Sequence, residues 1–452
     1  MLKPSSEPSL KQSEKQSLKP YYELQGNLMK IAVAGNSFDI EYDKDSLKGL
    51  GKQNCEAILD NLVCLFTMPW ALNNPLIYKN KPFFYQSIEK GVLNDIPRIA
   101  EEVDGDTKSL IDAFKSMKIR FGNDAKKISL KEQPDENSIM MGMSFGKDSL
   151  LSFGLAEELN LNNNLIFFND TEELDANEYK HKILLIKDFT KKFKKNINIV
   201  RDNTDKIFTD QTKTVEEFTK TNAMLSYALE ILPVAKKFNS KYIVFGNEHN
   251  FNDSFQNKDG YKAFTSYDQT SEYMEMINNQ FDDFGGDFRV LSLIEPIYNI
   301  AEYKMLLRYP NLLKYVMSCS GSEKERWCYS CPMCAKTYIF SLAVGLKPAK
   351  MSFKVNFLDK KHEQEYPLFS KPKRAYERPP AVRDEQLFAF YLAFKNGAKG
   401  YLIDKFKEHH LNEAKEREEE LRKKFFGIHE GKTIPKKIRP ELISIFKEEL
   451  DY

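Results

Sequence analysis

The sequence predicts an α/β chain: a parallel sheet with helices on both faces, preceded by an α+β region and followed by a helical extension. Three observations carry this. Short apolar runs alternate with helix-spaced segments through the middle of the chain, the pattern of strand–helix–strand units. The 452 residues suffice for two to four domains of ~100–150 residues each. Hydrophobic residues at 41 % and aromatics at 13 % supply a sizeable core and exclude wholesale disorder.

Residues 1–21 read as a disordered arm, polar and holding Ser, Lys and Pro. It lacks the ~7–15 apolar residues of a secretory signal. The α+β region spans 22–135. There Leu28 to Tyr42 alternates like a strand, and Cys55 to Thr67 and Ser109 to Ile119 have helical apolar spacing. Cys55 and Cys64 fall on that apolar pattern and read as core residues. Lys131 to Asn137 is polar, contains Pro134 and reads as a linker.

The middle domain spans 136–346. Its strands are Ser138 to Ser144, Leu165 to Phe168, Ile197 to Val200 and Tyr242 to Phe245. Helical spacing marks Lys147 to Asn160, Ala176 to Lys194 and Val215 to Phe238. The extension spans 347–452. It opens with a Pro- and Arg-rich connector, Lys371 to Val382, and continues with helices at Asp384 to Phe394, Glu413 to Phe426 and Arg439 to Leu450. The charge-dominated second of these reads as a solvated face.

Lys and Arg total 67 against 66 Asp and Glu, a net +1. That balance argues against a dedicated polyanion binder, and no clear basic, aromatic-rich nucleic-acid surface stands out. Apolar runs such as Tyr338 to Leu346 fall short of the ~20 residues that span a bilayer. The chain reads as cytoplasmic and soluble. In a reducing compartment the clustered cysteines point to metal rather than disulfides.

The first chemical motif is Ser144-Phe145-Gly146-Lys147-Asp148-Ser149, between a strand and a helix. Such a junction gathers backbone N–H groups and the positive end of a helix dipole, which suits phosphate. Gly146 permits close backbone approach, Ser144 and Ser149 offer hydroxyls, and Lys147 offers charge. A plain capped helix start is the competing reading, and the motif is not a Walker loop. The second motif is Cys319-x8-Cys328-x2-Cys331-x2-Cys334. Four thiolates suit tetrahedral Zn²⁺ and leave no open position, so the zinc is expected to be structural; an iron–sulfur cluster is the chemical alternative.

S-F-G-K-D-S resembles the S-G-G-x-D-S signature of the PP-loop ATP pyrophosphatases, whose loop cradles the pyrophosphate of ATP. Phe145 stands where that family has Gly. A phenylalanine reaches positive φ only at a cost, so the loop is expected to differ slightly. The loop followed by the cysteine cluster resembles the 7-cyano-7-deazaguanine synthase (QueC) family over about 138–346. Tyr242 to Asn250 is similar to the family's strand ending in Gly before the substrate loop. Gly260-Tyr261 and Ser266-Tyr267-Asp268-Gln269 fall at its G-Y-P-D-C-type segment, without the Pro and Cys. Thr221 replaces the Arg of an R-N pair, and Asn169-Asp170-Thr171-Glu172 replaces Y-G-Q-x-H.

The resemblance implies a PP-loop fold and a ligase needing ATP and Mg²⁺. It would adenylate a 7-carboxy-7-deazaguanine-type carboxylate, release pyrophosphate and pass the acyl group to an amine. Ser144, Phe145, Gly146, Asn169 and Asp170 would hold the nucleotide, with Lys147, Asp148 and Ser149 at the phosphates. Tyr267, Asp268, Gly246 and Asn247 would meet the substrate. Glu248 and His249 lie beyond the same strand end. Long extensions and altered substrate motifs match QueC-like proteins of antiphage operons (CBASS and related systems), where a partner protein's amine would be the acceptor. The extensions could also supply a gate or a homodimer contact. The alternatives are a nitrile-forming synthase using ammonia, another PP-loop activity such as tRNA thiolation, and a non-enzymatic nucleotide-binding module.

Overall fold

Alternating apolar side chains in the middle of the chain build a sheet with two buried faces. The structure, a computed structural model, describes residues 17–130, 133–170, 176–204, 206, 212–319, 321, 324–372 and 374–450. In chain order the strands are β1 Tyr21–Gln25, β2 Leu28–Val33, β3 Asn36–Glu41, β4 Leu76–Asn80, β5 Ile119–Asn123, β6 Asp135–Gly142, β7 Asn162–Asn169, β8 Ile197–Asp202, β9 Ser240–Phe245, β10 Ser254–Gln256, β11 Lys262–Phe264 and β12 Arg289–Ser292.

The main sheet has eight strands in the order β1-β2-β3-β8-β7-β6-β9-β12. Strands β8, β7, β6, β9 and β12 are parallel. The meander β1–β3 joins β8 antiparallel, through Ile40 against Asp202 and Glu41 against Arg201. Within the parallel part, chain order runs outward in both directions from β6 and β9. Open α/β sheets leave a crevice at such a reversal, beyond the carboxyl ends of the two strands. Two small sheets, β4 with β5 and β10 with β11, lie apart.

The period-2 rule divides the core cleanly. Ile139, Met141, Leu165, Phe167, Val244 and Leu291 face one apolar cluster, which also takes in helices Lys147–Glu158, Pro332–Ala343 and Pro380–Lys395. Met140, Ile166, Ile243, Phe245 and Val290 face the other, with helices Lys52–Thr67, Tyr85–Glu102, Ala223–Lys237 and Ser271–Phe284. The segments 22–135 and 347–452 thus form layers on opposite faces of one mixed α/β sheet, and position 135 lies inside that sheet.

Several expectations change. Leu28 to Tyr42 is a hairpin, because Ala34 and Gly35 both take positive φ, at 52° and 83°, the requirement of a tight two-residue turn. Val215 to Phe238 is two helices, Lys213–Thr219 and Ala223–Lys237, parted where Asn222 takes φ 61°. Asp135 to Asn137 belong to β6 rather than a linker, and Ile119 begins β5 rather than ending a helix. Of the expected arm, 1–16 lie outside the described residues, but Leu18 bridges Leu76 and Tyr21 begins β1. Glu413 to Phe426 is not only a solvated face, since Ala414, Leu421 and Phe425 are fully buried. Cys55 and Cys64 are core residues as expected. Among the described residues one stretch, Lys52–Leu72, is long and apolar enough to cross a membrane, contrary to the reading of short apolar runs, and 83 % of its most apolar window is buried in the protein.

Candidate functional site

The loop after β6 and the turn after β9 meet at the sheet reversal. Gly246 touches the loop so closely that a Cβ there would lie 2.6 Å from the Asp148 Cβ. Any side chain at 246 would displace Asp148. The loop itself holds Phe145 at φ 62°, a left-handed conformation that costs a non-glycine residue ~1–2 kcal/mol. The core enforces it. Phe145 is fully buried and meets Phe189 edge-on at 5.6 Å. Phenylalanine therefore does reach the positive φ that glycine would supply.

Gly146 caps helix Lys147–Glu158. Around it the polar contacts are long. Ser144 Oγ and Ser149 Oγ lie 3.3 Å apart, the Gly146 N–H reaches Ser144 Oγ at 3.4 Å, and Ser149 Oγ donates to the Gly146 carbonyl at 3.2 Å. Such weak bonds exchange readily for those of an incoming anion. A cavity of about 490 Å³ opens beside them, and Ser144, Asp148, Ser149, Gly246 and Asn247 line it. Its apolar wall includes Ile166, Phe168 and Tyr227, a slot suited to a flat ring.

Sequence reasoning missed Lys182. It lines this cavity from helix Ala176–Phe193, and its ammonium donates to the Ser144 and Met317 carbonyls. Burial pushes its pKa down to about 8, with the Glu178 charge opposing. The signal available was weak: one lysine among several in a helix.

Lys147 points elsewhere. Its ammonium is buried against Asp148 and bonds Glu302 Oε1 at 3.0 Å. It lines a second cavity, of about 400 Å³, and not the first. The physical reason is charge: carboxylate oxygens of Asp148, Glu248 and Glu302 lie within 4.8 Å of one another, and such a cluster draws the nearest cation. Burial raises Glu302 well above the usual carboxylate range. For Asp148 burial pulls the same way, but the Lys147 charge together with hydrogen bonds from Lys147 and Glu302 outweighs it and lowers the pKa.

The two cavities share Asp148, Gly246 and Gln269. Asp170 lines the first, whereas Asn169 is buried outside it. Glu248 lines the second. Tyr267 and Asp268 line neither. Tyr267 packs on Tyr273 and donates its hydroxyl to Glu272 at 3.0 Å. Asp268 accepts from Ser266 Oγ at 2.6 Å and from the Met224 N–H at the start of helix Ala223–Lys237. Both serve the core, and the neighbouring Gln269 faces the cavities instead. His249 is stacked on His429 at 4.1 Å; burial, reinforced by His429, pushes its pKa down to about 4. Thr171 and Glu172 lie outside the described residues.

All four clustered cysteines converge. Their sulfurs lie within 4.8 Å of one another, and Cys328 and Cys334 are 3.8 Å apart. Tetrahedral zinc with bonds of ~2.3 Å has sulfur–sulfur edges of about 3.8 Å. Backbone N–H groups of Cys328, Ser330 and Cys334 point at the sulfurs of Cys319, Cys328 and Cys331, each at 3.4 Å. These donors favour thiolates, so the cluster could hold a metal such as zinc. No protein-family model matches the chain, and no curated protein matches it.

Proposed function

We propose that the chain is an ATP-dependent, AMP-forming ligase built on a PP-loop fold. The observation that carries this is the shared wall: the residues after β6 and β9 that border a phosphate-suited cavity also border a second one through Asp148 and Gly246. A nucleotide in the first cavity would have its phosphates at that wall. A carboxylate in the second would sit across it.

Ser144, Ser149 and the N–H groups that open the following helix bind the phosphates, and Lys182 adds charge. Asp148 would hold Mg²⁺, alongside its contact with Lys147. That ion, when bound, neutralises the charge that builds on pyrophosphate. A carboxylate oxygen attacks the α-phosphorus, the bond to the bridging oxygen breaks, and pyrophosphate leaves. An amine nitrogen then attacks the acyl carbon, AMP departs, and the nitrogen gives up its proton. The zinc centre carries no step and supports the loop.

By its resemblance to 7-cyano-7-deazaguanine synthases, the acid is of the 7-carboxy-7-deazaguanine type and the amine that of a partner protein in antiviral defence. Tyr267 and Asp268 are turned into the core, so other residues would hold the acid. The chain is incubated with ATP, Mg²⁺ and 7-carboxy-7-deazaguanine. AMP formation supports the reading, together with its loss in Ser149→Ala and Asp148→Asn. No AMP with any acceptor contradicts it.

A further inference from the structure

We infer that the second cavity is the binding site of the acid, completed by the C-terminal segment, with Lys336 gripping the carboxylate. This rests on the proposed ligase reading and adds to it a site that the 138–346 region cannot form alone. Pro367, Arg374, Tyr376, Val382 and Glu385 supply one wall, while Lys336 and Phe340 of helix Pro332–Ala343 supply another.

The charges around the cavity decide what it takes. Its carboxylates are already engaged. Lys147 holds Asp148, the Asn299 side chain donates to Glu248 at 2.7 Å, Glu385 accepts from Asn250 Nδ2 and from the Ile300 N–H, both at 2.9 Å, and Glu377 accepts from the Arg374 N–H at 3.3 Å. Lys336 feels the charges of Glu248, Glu385 and Asp148 but bonds to none of them. Among the described residues its one hydrogen bond runs to Asn299 Oδ1, at 3.3 Å. An ammonium has three donors, so two remain for an anion. Lys336 is also near enough for its charge to act on Asp148, the residue on the shared wall. A carboxylate held there is presented toward the first cavity, and the apolar side chains leave room for a small flat body behind it.

The test is calorimetry on the full chain with three ligands: ATP·Mg²⁺, 7-carboxy-7-deazaguanine and its neutral carboxamide. The wild-type chain should bind the acid at least tenfold more tightly than the carboxamide. Lys336→Met should erase that preference, and Lys336→Arg should keep most of it. Val382→Trp should block both deazaguanines. ATP affinity should stay within twofold in all variants. An acid preference that survives Lys336→Met overturns the inference, as does a wild-type chain that binds no acid. Lys336-dependent acid binding by a chain that does not bind ATP would sustain this site and defeat the ligase reading instead.

Discussion

The Phe145 carbonyl accepts a 2.7 Å hydrogen bond from the backbone N–H of Met317, two residues ahead of Cys319. Next to it, the Lys147 N–H reaches Ser318 Oγ at 3.4 Å, and Lys182 ties the Ser144 and Met317 carbonyls together. The phosphate loop is therefore fastened to the strand of chain that enters the cysteine cluster.

Metal removal should disturb the loop before the sheet. Cys331→Ser or exhaustive chelation is expected to weaken ATP binding at least tenfold. Far-ultraviolet circular dichroism should change little, because the strands hydrogen-bond to one another and not to the cysteine segment. Metal content by mass spectrometry and ATP affinity by calorimetry check this together. Retained ATP affinity in a metal-free chain would show the fastening to be incidental.

Phe145→Gly sets two effects against each other. Relief of the left-handed backbone is worth ~1–2 kcal/mol. Loss of a fully buried phenyl ring costs ~3–5 kcal/mol. The ring should win, leaving the variant less stable by about 2–3 kcal/mol in denaturant titration. ATP affinity at low temperature should stay within a few-fold, since glycine keeps the loop conformation.

Lys147 should behave as a buried ion-pair partner. Lys147→Met leaves Asp148, which keeps its charge beside the buried ammonium, without its cation. Stranding a buried charge costs ~3–5 kcal/mol. Lys147→Met with Asp148→Asn should recover most of that loss, as a double-mutant cycle in chemical denaturation would reveal. A lysine that served only phosphate would show no stability loss and no coupling.

Asp268 should leave a signature in stability against pH. Burial raises its pKa from 3.8 to about 6 in the folded chain, despite the Ser266 hydrogen bond. Between those values the folded chain keeps the proton and the unfolded chain does not. Stability is present in full below the lower value and falls as pH rises through the window, by up to about 3 kcal/mol from this group. Asp268→Asn, which keeps an acceptor for the Met224 N–H, should flatten that slope in melts between pH 4 and about 6.

How much of this was legible in the sequence depended on whether the signal was local. The β6, β7, β8 and β9 cores stood out because buried parallel strands are continuous apolar runs. The cysteines stood out because thiolate spacing carries its own chemistry. The hairpin turn at Ala34-Gly35 was hidden because alternation continues on both sides of it. Lys147 was misplaced because its fate depends on Glu302, 155 positions away, which no motif links to it. Tyr267 and Asp268 were expected at the substrate, but the 3₁₀ turn Tyr267–Gln269 sends Gln269 to the cavities and those two into the core. The union of the extensions with the central sheet was likewise a long-range fact, visible only once β3 paired with β8 and the C-terminal helices packed into the same core.

The central claim is that the first cavity activates a carboxylate by transfer of AMP. Exchange of labelled pyrophosphate into ATP tests it most directly, because adenylate formation is reversible and exchange needs no acceptor amine. The wild-type chain with Mg²⁺ and 7-carboxy-7-deazaguanine should show exchange that depends on the acid and is lost in Asp148→Asn. Absence of acid-dependent exchange, in a chain that binds both ATP and the acid, would contradict the account.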